Sequence, residues 1–462
     1  MLPIPMVETR VTRWLRAALV ALGMTAGAAR GAAQGAAELA ADRVDGPVGA
    51  RVDSLLARYA AYGFEGAVLV AKDGRVVLVK GYGLSDHERN IPNRAGTLFE
   101  MNSITKTFTG AAILRLEADG KLRTTDSLFR FLGPLDGPKR GATIEHLATH
   151  TAGLVREADG ARLDGSDRDA FLASVKRLPA ESPPGERYRY TNAGFSVLAG
   201  IVEIASGESY DAYLRRHLFA PAGMTVAGFR GEFRPDDPRL AHGYIGTPGG
   251  LEPGPPNPYT WGTIGAGGVV TTVGEMYRWH LALHEGRIVP EAQRTRMFAP
   301  RPTEGYGWHV GTGAHGRQID KGGGSPDFAS QLLYFPDHGL VVIWASNNLR
   351  QRWRRTLNAG IVAAALGEPV TALPPVTAIP AAVLIARAGR YRASSGEIVE
   401  LRAGPGYLFA ADSTLGVPAH LMFFPQSASE FTGFDPVRGT LVPLRFLGGD
   451  LELASGLRLR RD

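Results

Sequence analysis

A serine and a lysine one helical turn apart are the residues of this chain best suited to catalysis. The 462-residue sequence has 7 Lys and 44 Arg, and only Lys106 has a serine, Ser103, three positions before it. Arginine keeps its proton in a protein, whereas a crowded or buried lysine can become a neutral base. Residues three apart on a helix share one face, so the pair predicts a hydroxyl nucleophile with a basic partner. A lone Ser-x-x-Lys also arises by chance on an ordinary helix surface.

Two further segments supply residue types that the same chemistry needs. Tyr190 and Asn192 form the only Tyr-x-Asn in the chain. A tyrosine beside a cationic lysine can act as a general base, and an asparagine can hold that lysine and donate to a substrate carbonyl. Lys321 adds a second cation. It is followed by three glycines, Gly322, Gly323 and Gly324. Bare backbone of this kind can approach a substrate closely and offer N–H groups to an oxyanion.

A histidine pair offers a competing interpretation, a metal site. Glu145, His146 and His150 could place two imidazoles on one helix face, as zinc requires. Their spacing is not His-Glu-x-x-His, and the sequence offers no evident third ligand. We therefore interpret the segment as packing and hydrogen bonding beneath the active site, and the sequence predicts no metal and no other cofactor.

Composition excludes several other classes of protein. Hydrophobic residues make up 44% of the chain and charged residues 21%, as in ordinary globular proteins. The formal net charge is +6, but no basic run is interleaved with aromatic residues, so we expect no nucleic-acid partner. The chain has no Cys. Disulfides, thiol catalysis, Cys-ligated metals and a lipid-modified N-terminal Cys are therefore excluded.

The first 33 residues have the pattern of a secretory signal peptide. Arg10, Arg13 and Arg16 precede an apolar stretch over residues 17–29, and Ala26-Gly27-Ala28 fits a cleavage site. The apolar stretch is short for a membrane span. We therefore expect a periplasmic or secreted protein whose signal peptide lies within residues 1–33 and is cleaved after Ala28 or later, near Ala33; an amphipathic N-terminal helix is the alternative.

The remaining chain divides into two parts. Residues 34–368 mix short apolar strands with helices and predict a catalytic domain of the α+β class. Four prolines follow within a dozen residues, so 369–384 is predicted as a stiff linker. Residues 385–462 alternate polar and apolar residues between Gly and Pro turns, which predicts a small all-β module, a sandwich or a barrel.

The order of the motifs resembles that of the serine β-lactamase and penicillin-binding-protein superfamily. Its signatures are Ser-x-x-Lys, Tyr-x-Asn or Ser-x-Asn, and a later Lys-Thr-Gly or His-x-Gly. Four longer segments resemble family segments as well: Ile144–Leu154, Pro184–Asn192, Gly265–Thr272 and Gly323–Phe328. The likeness covers about residues 50–365, and the tyrosine of the second motif is similar to that of the class C-type branch.

This resemblance implies a fold and a role for each site residue. The expected fold is an antiparallel sheet flanked by helices with an inserted helical domain, followed by a C-terminal all-β module. Ser103 would be the nucleophile, while Lys106 and Tyr190 would share the handling of its proton as a coupled pair. Substrate binding would fall to four residues, Asn192, Lys321, Gly323 and Gly324. The backbone N–H groups of Ser103 and Gly324 would form the oxyanion hole.

The implied function is that of a secreted serine hydrolase working through an acyl-enzyme. D-amino-acid peptides, β-lactams and small esters all remain open as substrates, because they use the same acylating groups. The alternative is a non-catalytic penicillin-binding or cell-wall sensor protein that keeps the fold. Both interpretations predict a small-molecule or peptide partner and allow association with the cell wall; the sequence leaves the oligomeric state open.

Overall fold

A computed structural model of the chain describes residues 39–155, 163, 165–247, 250–255, 257–348, 354–415, 417, 421–435 and 438–462. The expected signal peptide, residues 1–33, lies outside the described residues. Over the described part, no helix is both long and apolar enough to cross a bilayer.

Strands and helices alternate irregularly up to residue 368. The strands are β1 (Arg43–Val44), β2 (Gly66–Lys72), β3 (Arg75–Tyr82), β4 (Leu84–Asp86), β5 (Ile91–Pro92), β6 (Phe99–Glu100), β7 (Gly228–Phe229), β8 (Tyr244–Thr247), β9 (Gly250–Pro253), β10 (Val269–Thr271), β11 (His309–Gly313), β12 (Gly316–Gly324), β13 (Ala329–Phe335) and β14 (Leu340–Ser346). The α-helices are α1 (Gly46–Ala61), α2 (Thr105–Ala118), α3 (Phe129–Leu132), α4 (Ile144–Ala148), α5 (Arg168–Arg177), α6 (Asn192–Ser206), α7 (Tyr210–Leu214), α8 (Ala220–Ala222), α9 (Ile264–Gly267), α10 (Val273–His284), α11 (Glu291–Met297) and α12 (Arg354–Leu366).

A seven-stranded antiparallel sheet forms the centre of this domain, in the order β1-β3-β2-β14-β13-β12-β11. Central strand β2 is apolar from residue 66 to 71 and buried throughout that span, as expected of a strand covered on both faces. The β2–β3 hairpin closes through Asp73 and Gly74, which both have positive φ, 51° and 76°. Two positive φ angles in a two-residue loop suit the twist of the strands that they join.

Two helical layers cover the sheet. On one face, α1 presents Val52, Leu55, Leu56 and Tyr59 at helical spacing and packs beside α12. On the other face, α2 is buried along most of its length and belongs to the larger core together with α6 and α10. The helices between α2 and β10 form the helical region that the sequence predicted. The predicted α+β fold is therefore confirmed.

The C-terminal part is a closed eight-stranded barrel. Its strands are β15 (Gly389–Arg392), β16 (Ile398–Gly404), β17 (Tyr407–Ser413), β18 (Met422–Pro425), β19 (Glu430–Asp435), β20 (Thr440–Leu447), β21 (Asp450–Leu453) and β22 (Arg458–Arg461). Helix α13 (Ala381–Arg387) precedes the barrel, and buried side chains from its strands fill the interior. The structure thus selects the barrel from the two all-β forms that the sequence allowed.

The barrel docks on α1 and the turn that follows it. The rings of Phe424 and Tyr62 lie 4.8 Å apart, and those of Phe434 and Tyr59 are stacked at 6.1 Å. Gln426 Nε2 also donates to the Tyr62 hydroxyl at 3.3 Å. Helix α1 covers the face of the sheet opposite α2. The barrel, which packs on α1, therefore lies on the other side of the sheet from α2, the helix that follows Ser103.

A histidine in the α10 core makes the fold sensitive to acid. His284 stacks on Phe298 with ring centroids 4.8 Å apart, and burial lowers its pKa to about 4. Its unfolded value is about 6.5. The unfolded chain therefore binds the extra proton first, and stability falls as the pH drops from about 6.5 to 4, by roughly 3 kcal/mol in all.

We expect His284→Phe to remove that contribution to the pH dependence. Urea unfolding followed at pH 7.5 and pH 4.5 should show a smaller loss of stability for the variant than for the wild type. Equal losses in the two proteins would contradict the assignment to His284.

Candidate functional site

Ser103 lies on a short 3₁₀ turn, Asn102–Ile104, that leads into α2. The preceding Asn102 has φ 48°, a left-handed conformation that asparagine tolerates better than most residues. Met101 N donates to Val269 O at 2.9 Å and ties this turn to β10. The serine is thereby held at the start of a buried helix with its side chain still partly exposed.

Lys106 follows one turn later and has no exposed surface. Its Nζ lies 3.2 Å from Ser103 Oγ, 2.7 Å from Asn192 Oδ1 and 3.0 Å from Ala266 O. These three acceptors match the three protons of an ammonium group. Burial lowers the Lys106 pKa, so the group gives up a proton more readily than an exposed lysine.

Tyr190 reaches the serine from the start of α6. Its hydroxyl donates to Ser103 Oγ at 2.7 Å. The two lysines flank its ring, with Lys106 Nζ 4.8 Å and Lys321 Nζ 5.1 Å from the centroid. The imidazole of His150 stacks on the same ring at 4.5 Å. The hydroxyl of Tyr190 therefore lies close enough to Ser103 Oγ to exchange a proton with it.

Strand β12 forms the wall opposite these helices. Lys321 is 2% exposed, and its side chain points toward Tyr190. A Cβ on Gly323 would lie 2.1 Å from Met101 O and 3.0 Å from Ser103 N, so the strand is in direct contact with the nucleophile's backbone. Gly324 pairs with Ala329 on β13. Because β11 pairs with β12 only up to Asp320, the edge of β12 beyond that point is not covered by β11.

The close contact at Gly323 predicts a large loss of activity for Gly323→Ala. The added methyl group must push β12 away from Met101, which moves the backbone N–H groups of the predicted oxyanion hole. We expect kcat/KM to fall by roughly a hundredfold or more, measured on an ester substrate. Gly141→Ala is the matched control, because its Cβ would meet nothing within 4 Å. Equal activity of the two variants would contradict the role of Gly323.

The structure therefore brings the sequence-predicted residues together. The side chains of Ser103, Lys106, Tyr190 and Asn192 form one hydrogen-bonded cluster. Lys321 adjoins it through the ring of Tyr190, and Gly323 through the backbone of Ser103. Gly324 follows as the last residue of β12. Their catalytic and binding roles remain predictions.

Sequence reasoning missed an acid in the site, Glu304. Its Oε2 lies 2.5 Å from Lys321 Nζ and 3.7 Å from His150 Nε2. Glu304 precedes a tight turn in which Gly307 packs against the backbone oxygen of Lys106, where a Cβ would be 2.3 Å away. No local pattern distinguishes this glutamate from the other acids of the chain, so only the fold identifies it.

Arg354 is a second residue of the site that the sequence did not predict. Arg354, the first residue of α12, donates from Nη2 to Gly323 O. Its Nη1 would be 2.1 Å from a Cβ on Gly322. The guanidinium thus occupies the space that a side chain at position 322 would enter, so a larger residue there would have to displace Arg354.

His146 and His150, the two possible metal ligands, each form a hydrogen bond with a backbone N–H group. His146 Nδ1 accepts from Thr143 N at 3.3 Å at the start of α4, and His150 Nδ1 accepts from Thr191 N at 3.3 Å. The two imidazoles therefore make separate structural contacts, as interpreted from the sequence.

Elsewhere in the described part of the chain, Asp86, Glu88 and His242 place possible metal-ligand atoms within 4.8 Å of one another. Arg89 Nε already pairs with Asp86 Oδ2 at 2.6 Å, and Tyr244 donates to Glu88. These partners satisfy the carboxylates, so we assign no metal to this trio.

Comparisons with known proteins agree with this geometry. The sequence model of the family described as Beta-lactamase matches residues 51–366. A D-aminopeptidase from Gluconobacter oxydans (strain 621H) is 32% identical over 337 residues, which cover 69% of this chain and 62% of that protein. The chain thus spans less than two thirds of that relative's length.

Solved structures share the fold. The octameric penicillin-binding protein homologue from Pyrococcus abyssi has a TM-score of 0.64 at 24% identity, covering 89% of this chain and 99% of its own. The D-amino acid amidase from Ochrobactrum anthropi SV3, complexed with L-phenylalanine, has a TM-score of 0.56 at 21% identity and covers 64% and 91%. Since the family match spans most of the catalytic domain and the predicted site lies within it, the chain belongs to the beta-lactamase family of serine hydrolases.

Proposed function

We propose that this protein hydrolyses D-amino-acid peptides, β-lactams or small esters through an acyl-enzyme on Ser103. The observation that supports this most directly is the convergence on Ser103 Oγ of Tyr190 Oη at 2.7 Å and Lys106 Nζ at 3.2 Å. A serine hydroxyl is a weak nucleophile until an adjacent base removes its proton. Two candidate bases within hydrogen-bonding reach meet that requirement.

In the proposed acylation step, Ser103 Oγ attacks the substrate carbonyl while its proton passes to the Lys106–Tyr190 pair. The bond from the carbonyl carbon to the leaving group then breaks, and the pair returns the proton to that group. The member of the pair that accepts the proton must already be deprotonated, as a neutral Lys106 amine or a Tyr190 phenolate.

The backbone N–H groups of Ser103 and Gly324 are the proposed oxyanion hole. Preorganised donors at this position stabilise the negative oxygen of the tetrahedral intermediate. Asn192 accepts from Lys106 through Oδ1, so its amide nitrogen remains the donor for a substrate carbonyl. Water then attacks the acyl-enzyme, with the same pair as base, and releases the acid and the free Ser103.

The test combines trapping with turnover. Purified protein is incubated briefly with nitrocefin, a p-nitrophenyl ester and a D-alanyl amide, and intact mass and product release are measured. We expect an acyl adduct that maps to the peptide containing Ser103 and multiple turnovers on at least one substrate class. A stable adduct without turnover would instead indicate the non-catalytic penicillin-binding protein, and no adduct and no turnover would reject the proposal.

We also propose that the protein is exported with residues 1–33 removed. Support comes from the sequence, where three arginines precede an apolar stretch and a small-residue cleavage site. Fractionation of expressing cells and N-terminal sequencing of the mature protein test this. A cytoplasmic protein that retains its first residues would contradict it.

A further inference from the structure

Lys321 on β12 forms an ion pair with an acidic residue of the same site. Lys321 is 2% exposed and lies 2.5 Å from Glu304 Oε2. Burial raises the pKa of Glu304, but contact with His150 and the charge of Lys321 outweigh it and hold the pKa at about 2. The carboxylate is therefore ionised at neutral pH, and its charge opposes the lowering of the Lys321 pKa that burial causes.

The third member of this cluster adds no positive charge at neutral pH. His150 is buried, and desolvation lowers its pKa to about 4. Its Nδ1 accepts from Thr191 N, so the single proton of the neutral ring resides on Nε2, 3.7 Å from Glu304 Oε2. Lys321 and Glu304 thus form one neutral ion pair with an imidazole beside it.

Glu304 faces the cleft as well as its partner. Its side chain is 23% exposed, and its contacts with Lys321 and His150 both use Oε2. Its charge also acts on the neighbouring Tyr188, whose pKa is raised by burial and then by Glu304. Tyr188 is 40% exposed and packs edge-on against His150. A ligand approaching Lys321 past Tyr188 therefore meets the Glu304 carboxylate too.

The second cation along β12 also lies near an acid. Arg354 rests against Gly322 and Gly323. Burial lowers its pKa, and the charge of Asp320 on the same strand opposes that lowering. The charge of Asp320 thus offsets part of the charge of Arg354, as Glu304 offsets that of Lys321.

We propose that Glu304 sets the charge selectivity of the cleft. By offsetting Lys321 it directs the enzyme toward acyl substrates that are neutral or cationic near the scissile carbonyl, and against those that bear a carboxylate there. This inference rests on the proposed hydrolase function and narrows its substrate class. Glu304 acts through Lys321 and through the field in the cleft, so it is a specificity residue and takes no proton in the reaction.

The experiment compares matched esters that differ in one charge. One pair is mono-4-nitrophenyl glutarate and its methyl ester, with the charge on the acyl side. The other is 3-carboxyphenyl acetate and its carboxamide analogue, with the charge on the leaving group. For the full chain, we expect wild-type kcat/KM to favour the neutral member of each pair. In Glu304→Gln, the ratio of kcat/KM for the anionic ester to kcat/KM for its neutral partner should rise roughly tenfold for at least one pair. The reason is that the substitution removes one nearby repulsive charge.

Glu203→Gln is the matched control. Glu203 is 15% exposed and pairs with Arg168 at 3.2 Å on the helix that follows Tyr190, outside the cluster around Ser103. We expect it to leave both ratios unchanged. A loss of folding or of general activity in Glu304→Gln lowers both members of a pair equally, so the ratio still reports selectivity.

The outcomes separate this inference from the function on which it rests. An active wild type whose ratios match those of Glu304→Gln, or one that prefers the anionic member of both pairs, overturns the charge selectivity alone. A wild type that turns over none of the four esters, and no amide or β-lactam, overturns the proposed function and this inference with it.

Discussion

Ser103→Ala is expected to lower kcat by roughly 10⁵-fold or more, the largest effect of any single substitution in this chain. The hydroxyl is the group at which the Lys106 and Tyr190 contacts meet. Without it the remaining groups can only orient water, and no acyl-enzyme can form. Steady-state rates on the best substrate measure the loss of turnover, and intact mass after incubation with that substrate measures the loss of the acyl-enzyme.

Ser395→Ala is the control for this substitution. Ser395 is an exposed residue in the turn between β15 and β16 of the barrel, far along the chain from the catalytic domain. We expect wild-type rates and wild-type adduct formation from it. Turnover by Ser103→Ala at more than a few per cent of the wild-type rate would show that another residue is the nucleophile.

Lys106→Met is expected to lower kcat by roughly 10³-fold, within the range that general acid–base groups contribute. Methionine is flexible and of similar length, so it can fill the buried space, but it has neither proton nor lone pair for Ser103. Asn192 Oδ1 and Ala266 O also lose their donor. Because unsatisfied buried acceptors destabilise a fold, the melting temperature should fall as well.

Comparison with Lys80→Met separates catalysis from stability. Lys80 on β3 pairs with Asp53 of α1 at 2.7 Å, so its loss also removes a partly buried ion pair without touching the Ser103 cluster. We expect a lower melting temperature and unchanged kcat for this control. If Lys106→Met keeps its kcat below its own melting temperature, Tyr190 alone suffices as the base.

Local sequence patterns predict those parts of the fold whose structure depends only on residues close together in the chain. Two short apolar runs on either side of Asp73–Gly74 indicate the β2–β3 hairpin, and this turn has the positive φ angles that the two residues favour. Period-two patterning identified the C-terminal module, but not its closure. Whether β15 pairs with β22 depends on residues 391–392 meeting residues 460–461, a contact that no single window of sequence encodes.

The residues of the site also fall into two groups, those with a local sequence pattern and those defined by long-range contacts. Ser103 and Lys106 belong to one helix, so their spacing alone places them together. Tyr190, Asn192 and Lys321 required the order of known family motifs. Glu304, His150 and the carbonyl of Ala266 come from separate turns, and their contacts appear only when β12, α4 and α9 pack around α2. A residue defined by long-range contacts has no local signature from which to predict it.

The docking of the barrel through Tyr59 and Tyr62 places the C-terminal module against α1, on the face of the sheet opposite α2. The two domains therefore share a packed interface, while the side chains around Ser103 come from the catalytic domain alone. Mutations that loosen this interface should change the stability of the chain before they change the geometry around Ser103.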